Sequence, residues 1–426
     1  MRFAAALSIL ALCTAASEQT ATTLPSPPQA KSVTVPLKLT HDRVIIDVDL
    51  RLSDGTTQRV HAWVDNGNPD LYMSRRLAVG TSSCDGQLCS VTPPAEMSIG
   101  GMTIPLGGKI PGAEIKEAWV PADDNAPIAP GLDAEINIPS TVLRNYEVLI
   151  NFPEHQFTIG QPGSLKFNGV PAKVIMNPKS GLIQVPSQIE RKKYNLSLDF
   201  GESISFLSGE LFDKLSTAHP DWPHMTGAIG PANSSGSADE PSWKLMRVDR
   251  LQYGPLFLTD VAVAEFPKDR LTRFENRAGG PSAGLLSSEA LLNYRVGLDY
   301  AHSTVYFDIG RLFDVPDFDV IGLILRPEDD ARFTVLGIAD YEGKPSVAQG
   351  DDGVQTGDHL IAVDGIPVHG STLGQVWSML AGSPGMERTL TIERAGRQFD
   401  VVAQVQHFLG DVPRETQTKK PSKKKN

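Results

Sequence analysis

Asn145-Tyr146-Glu147-Val148-Leu149-Ile150-Asn151-Phe152 and Asn293-Tyr294-Arg295-Val296-Gly297-Leu298-Asp299-Tyr300 are one pattern written twice, 148 positions apart. Each copy runs into a turn and then a second alternating stretch, Gln156–Ile159 and Thr304–Phe307, whose period of two is that of a strand with one buried face. Each copy is preceded by a Gly-Leu pair and a short helix-like stretch, from Gly131-Leu132 and from Gly284-Leu285. Further upstream Trp63-Val64-Asp65-Asn66-Gly67 matches Ser197-Leu198-Asp199-Phe200-Gly201, so that an Asp and a Gly close an apolar strand in both places. Hairpin-like segments, Met97–Val120 and Met246–Phe266, fill the intervals. Residues 35–165 and 166–312 therefore read as two copies of one β-rich lobe, a duplication rather than a solenoid.

A third unit is expected over residues 319–408, after the Pro-containing link Phe313–Phe318. Val320–Leu325, Phe333–Ile338, Thr389–Glu393 and Phe399–Val405 read as strands and Leu373–Leu380 has helical spacing, which suffices for one small α+β domain.

Composition narrows the function. The 426 residues carry 39 Lys plus Arg against 50 Asp plus Glu, a net charge of −11. Five of those lysines stand in the last eight residues, so the body is more acidic still and nucleic acid is an unfavourable partner. No apolar run reaches the roughly 18–20 residues of a membrane-spanning helix.

Met1–Ser17 reads as an export signal, with Arg2 ahead of apolar Phe3–Leu12 and small residues after it. Residues 18–34 form a Pro-rich linker and 409–426 a basic, solvated tail. The expected location is periplasmic or secreted; lipid anchoring through Cys13 is the lesser alternative, because Leu12 stands where a small residue is wanted. With Cys13 removed, Cys84 and Cys89 are an even pair in an exported chain and are expected to form a disulfide closing a small turn. Two thiols without a nearby His make half a zinc site at best. The histidines show no metal-ligand spacing and no phosphate-cradling loop is present, so neither metal nor cofactor is expected. Gly280-Pro281-Ser282-Ala283-Gly284 has the form of a nucleophile elbow, but the preceding Phe274–Gly279 reads as a polar loop where that motif needs a strand.

The two Asp–x–Gly turns and the later Gly-Leu segments resemble those of bilobal aspartic proteases of the pepsin and retropepsin type. Gly322-Leu323-Ile324-Leu325, with Gly357-Asp358-His359-Leu360-Ile361-Ala362-Val363-Asp364-Gly365 later, resembles a bacterial PDZ domain. The resemblance covers residues 35–408. It implies a mainly β fold of two barrel-like lobes around a cleft, with Asp65 and Asp199 as the catalytic pair sharing a proton. Gly67 and Gly201 would let the turns pass tightly, and Met97–Val120 would supply the flap that covers a bound peptide. The implied substrate is a peptide or unfolded protein. In the third unit Ile321, Gly322, Leu323, Ile324 and Leu325 would receive a peptide C-terminus. One chain brings both Asp residues, so a monomer suffices.

Two positions depart from the family, which prefers Thr or Ser after each Asp. Asn66 has groups to donate and accept across the lobes. Phe200 has none, so the cross-lobe bonding is expected to be asymmetric or absent, and Phe200→Thr is expected to leave activity intact or raise it. Glu202 adds a third carboxylate near the pair. The alternative function is a catalytically inactive peptide-binding scaffold of the same architecture.

Overall fold

A computed structural model describes residues 30–80, 83–107, 114–124, 126–311 and 318–413. The export signal, Cys13, most of the linker, most of the 313–318 link and the lysine-rich end lie outside the described residues.

The molecule is mainly β. The repeated segments found in the sequence pair with each other: Glu147–Asn151 runs antiparallel to Tyr294–Asp299, with Leu149 opposite Gly297. They are the centre of a six-stranded sheet ordered Ser32–Pro36, Gln156–Gly160, Glu147–Asn151, Tyr294–Asp299, Thr304–Ile309, Val170–Lys173. Half of that sheet comes from each copy.

On this common floor stand two sheets built by the same crossing. In the first, Thr57–Asp65 lies between Arg43–Arg51 and, in parallel, Ile136–Pro139, which sets Pro139 opposite Asp65. In the second, Lys192–Asp199 lies between Ile183–Ile189 and, in parallel, Gly284–Ser287, which sets Ser287 opposite Asp199. Alternation drives both: Val60, Ala62 and Val64 are buried along the first Asp strand. The second sheet closes through pairing of Ile183–Ile189 with Lys244–Tyr253 and makes a barrel, whereas the first remains open.

The parallel registers correct one equivalence. The counterpart of Gly284-Leu285 is Ile136-Asn137, not Gly131-Leu132, and it stands at the same 148-residue offset as the repeated strands. Gly284 must be glycine, with φ +145° and a Cβ that would fall 2.0 Å from the Phe206 carbonyl oxygen. Gly131 serves another contact: a Cβ there would lie 2.7 Å from Leu373 Cβ. A two-residue match carries no register; pairing to the Asp strand does.

Of the segment Met97–Val120, expected to act as a flap, residues 108–113 lie outside the described residues and the first part packs inside. Glu96–Ile99 and Met102–Pro105 form a hairpin in the first sheet, with Met97, Ile99, Met102 and Ile104 all wholly buried. Its Gly100-Gly101 turn abuts Val33 and Val35, so the hairpin is core. The stretch Phe274–Gly279 closes the helix Lys268–Ala278, ended by Gly279 in the left-handed region, and is no loop. Ser282 donates its hydroxyl to the Gly284 carbonyl at 2.7 Å.

The C-terminal residues form a six-stranded sheet, Leu323–Pro327, Phe333–Ile338, His359–Val363, Glu387–Arg394, Arg397–Gln404, with the short Ile366–Pro367 also against His359–Val363, under the helix Leu373–Leu380. That helix starts at a capping box in which Thr372 and Gln375 satisfy each other's amides. Its core is continuous with the second barrel: Ala228, Ile229, Ala232 and Trp243 belong to the same buried cluster as Phe318, Val320, Ile324 and Leu325. Among the described residues no helix is long and apolar enough to cross a membrane.

Candidate active site

Asp65 and Asp199 end their strands at the seam between the two halves. Only 3% and 5% of their surfaces are exposed. Both turns need glycine because the other half's carboxylate occupies the space. A Cβ on Gly67 would lie 2.0 Å from Asp199 Oδ2. A Cβ on Gly201 would lie 2.4 Å from Asp65 Oδ1 and 3.0 Å from Asp199 Oδ1, so these two oxygens are no farther apart than those distances together. The carboxylates face each other at close range.

The turns are tied by one side chain. Asn66 donates from Nδ2 to the Leu198 carbonyl at 2.8 Å, and its Oδ1 accepts the Phe200 amide at 2.7 Å. Phe200 makes no reciprocal polar bond from its side chain; wholly buried, it meets Phe152 of the first half edge-on at 5.8 Å between centroids. The cross-connection is thus polar from one turn and apolar from the other.

Around the pair, Asn137 donates to Asp65 Oδ2 at 3.3 Å and the Gly201 amide donates to Asp199 Oδ1 at 2.8 Å. Each half also sends an arginine to the other's turn. Arg43 donates to the Gly201 carbonyl and stands 3.4 Å from Glu202. Arg277, on the helix Lys268–Ala278, meets Asn68 at 3.2 Å and Asp70 at 2.8 Å.

Burial pushes the Asp65 carboxyl up; the Asn137 and Asn68 side chains and the Arg43 charge oppose this, and Glu202 reinforces it. Burial likewise pushes Asp199 well up, helped by the Asp65 and Glu202 charges and opposed by the Gly201 amide and Arg43. Two such carboxyls resist losing both protons. That is the electrostatic condition for one acid and one base side by side.

Sequence reading missed Arg43, Asn137, Tyr72 and Arg277, and Asn68 stood out only as a departure where a small residue is usual after the first Gly. Asn137 had a signal: a lone amide between isoleucines in INIP is a buried polar group in need of a partner. Arg43, at the head of the apolar Arg43–Arg51 strand, offered a fainter one. Arg277 lies in a polar helix and offered none.

Cys84 and Cys89 are bonded to each other. Their hairpin, Ser83–Asp85 with Leu88–Val91, pairs with Ala118–Pro121, where Trp119 donates its amide to Leu71 and accepts from Met73. The strand Ala118–Pro121, rather than the 96–105 hairpin, lies along the segment leaving Asp65. A groove of about 470 Å³ runs between them, lined by Pro69, Tyr72, Leu88, Trp119 and Arg277. Neither this groove nor the larger concavity, about 1460 Å³ near Tyr194 and Phe266, is lined by Asp65 or Asp199.

In the C-terminal unit Ile321, Gly322, Leu323, Ile324 and Leu325 are all buried. The Ile321 amide donates to Leu380, the Leu323 amide to Ile321, and the Leu325 amide to Asn233 Oδ1. No group of three or more His, Cys, Asp or Glu suited to a metal occurs among the described residues.

No family model matches the chain, and no curated protein matches it. Among solved structures it is similar to the aspartic proteinase from Irpex lacteus, at 12% identity and a TM-score of 0.39, over 66% of this chain and 97% of that one. A superposition that loose adds nothing to the geometry above.

Proposed function

We propose that the chain is an exported aspartic endopeptidase in which Asp65 and Asp199 share one proton and activate a water. The observation that carries this reading is the mutual fit of the turns, each glycine leaving room for the opposite half's carboxylate. In the step proposed, the ionised carboxylate takes a proton from water as its oxygen attacks the peptide carbonyl carbon, and the protonated partner gives its proton to the carbonyl oxygen. Collapse of the gem-diol returns a proton to the departing amine. The substrate is an extended peptide, entering by the groove beside Tyr72 and Trp119. Export agrees with the Cys84–Cys89 bond, which persists in oxidising compartments.

A second reading, an inactive peptide-binding scaffold, is favoured by how little of the pair solvent reaches. Turnover of unfolded proteins from acid to neutral pH separates the two. On the peptidase reading Asp65→Asn and Asp199→Asn each remove cleavage, by about a thousandfold or more, and the double variant is no worse because the pair acts as a unit. A statine-type transition-state mimic inhibits the wild type. A wild type inert throughout, with peptide binding that survives both substitutions, establishes the scaffold.

A further inference from the structure

Arg43 is 6% exposed, and a buried guanidinium is tolerated only where its charge and donors are met. The groups that accept from its side chain lie in the second half, although Arg43 itself belongs to the first. Nε donates to the Gly201 carbonyl at 2.9 Å, Nη1 to the Ser234 carbonyl at 2.9 Å, and Nη2 stands 3.4 Å from Glu202. The guanidinium carbon lies 5.8 Å from the Trp63 ring centre. One side chain therefore joins the strand beside Asp65, the turn after Asp199 and the loop at Ser234.

That loop is held by the C-terminal unit. Asn233, wholly buried, donates to the Leu325 carbonyl and accepts the Leu325 amide, both at 2.9 Å, as a neighbouring strand would. Glu240, also wholly buried, accepts the Ser235 and Gly236 amides. Gly236 approaches so closely that a Cβ would lie 2.6 Å from Arg326 Cα. On the other side of Arg43, a Cβ on Gly374 would lie 2.5 Å from the His41 amide nitrogen, and the Leu373 amide donates to Gly131 at 2.8 Å. The edge of the Leu323–Pro327 strand, where a captured peptide would add, is taken by the chain itself.

We propose that Arg43 is a positioning residue for the Asp65–Asp199 pair, and that the C-terminal unit, through Asn233 and Ser234, fixes the turn after Asp199 rather than capturing a peptide on that edge. Its effect on turnover rests on the peptidase reading; its geometry does not. The charged and titratable groups facing Arg43 are His41 and Asp42 on its own turn, Asp65 from the adjacent strand, and Asp199 and Glu202 from the second half. The Arg43 charge opposes the upward push of burial on Asp65, Asp199 and Asp42.

Three variants test this: Arg43→Met, Arg43→Lys and Asn233→Ala, each checked for folding by circular dichroism. Hydrogen exchange over residues 196–203 and 232–237 is read beside the pH profile of turnover. Loss of the positive charge in Arg43→Met moves the profile to higher pH by about one unit, because both carboxyls rise. Arg43→Lys leaves the profile near its place but lowers kcat about tenfold or more with little change in KM, since an ammonium cannot reach both carbonyls. Both speed exchange at 196–203, and Asn233→Ala does so to a smaller degree.

Arg43→Lys matching wild type in kcat and exchange overturns the positioning role. Asn233→Ala speeding exchange at 232–237 alone overturns the part played by the C-terminal unit. If Arg43→Met does not fold, the other two variants decide both points. If the wild type turns nothing over, the peptidase reading fails while the exchange measurements still decide this one.

Discussion

The turns Asp65-Asn66-Gly67 and Asp199-Phe200-Gly201 perform the same backbone task with opposite side-chain chemistry. Asn66 spends its amide across the seam, one bond given and one received. Phe200 spends surface, wholly buried and edge-on to Phe152. A symmetric pair of hydroxyls is therefore not the only way to lock two Asp turns. One bidentate amide supplies direction, and one aromatic ring supplies adhesion without it. The glycines show no such divergence, because each is constrained by the opposite carboxylate.

The comparison breaks most readily at Phe200. Replacing it with Thr removes most of a buried ring opposite Phe152 and should cost about 3 kcal/mol in denaturant melts, from lost transfer energy and the cavity left behind. The expectation formed from sequence concerned activity, which Phe200→Thr was to leave intact or raise; the buried ring adds a stability cost to the same substitution. Asn66→Ala leaves the Leu198 carbonyl and the Phe200 amide without partners and should cost about 2 kcal/mol. Asn66→Thr, whose hydroxyl both gives and accepts, should cost less than about 1 kcal/mol. Equal costs at the two positions would refute the division of labour.

Acidity sharpens it. Both carboxyls stand above their unfolded values, chiefly through burial. Their favourable contribution is complete below the ordinary Asp range and is lost as pH rises through the raised folded values. Asp65→Asn and Asp199→Asn should therefore melt higher than wild type at pH 7, by about 2 kcal/mol, and equal to it near pH 4. The gain should be larger at Asp199, whose neighbours Asp65 and Glu202 both repel its charge, than at Asp65, which has the Asn137 and Asn68 amides. Thermal melts across that range check the sign.

The smallest expected effect concerns the disulfide, which closes the hairpin paired with the Ala118–Pro121 strand and has no counterpart in the second half. Cys84→Ser closes no loop, and because the loop is short the loss should be about 2 kcal/mol or less. Faster hydrogen exchange should be confined to 83–91 and the adjoining Ala118–Pro121 strand. A cooperative drop in global stability would mean that the hairpin is part of the first half's core.

Much of this architecture is legible in the order of residues alone. The duplication appears in NYEVLINF and NYRVGLDY because strands facing a shared floor keep their apolar period, and those segments prove to pair with each other. The hairpin 96–105 is legible as strands but not as core, since alternation shows that one face is buried and not against what. The helix Lys268–Ala278 escapes sequence reading in its last turn because one buried ring, Phe274, stands among polar residues.

The sequence by itself determined the covalent and local facts: two Asp–x–Gly turns at strand ends, a cysteine pair five residues apart, and a third unit with a capped helix at Leu373–Leu380. Each depends on neighbours within a few residues, where propensity, spacing and backbone conformation act directly. Only the tertiary structure decided what Asn66, Phe200, Arg43 and Asn233 do. Their decisive partners lie far along the chain, 134 residues for Asn66, 48 (200 − 152) for the Phe200 ring, 158 and 191 for Arg43, and 92 for Asn233. Over such separations a side chain's type states what it requires, a donor, an acceptor or a dry surface, and packing alone selects which residue supplies it.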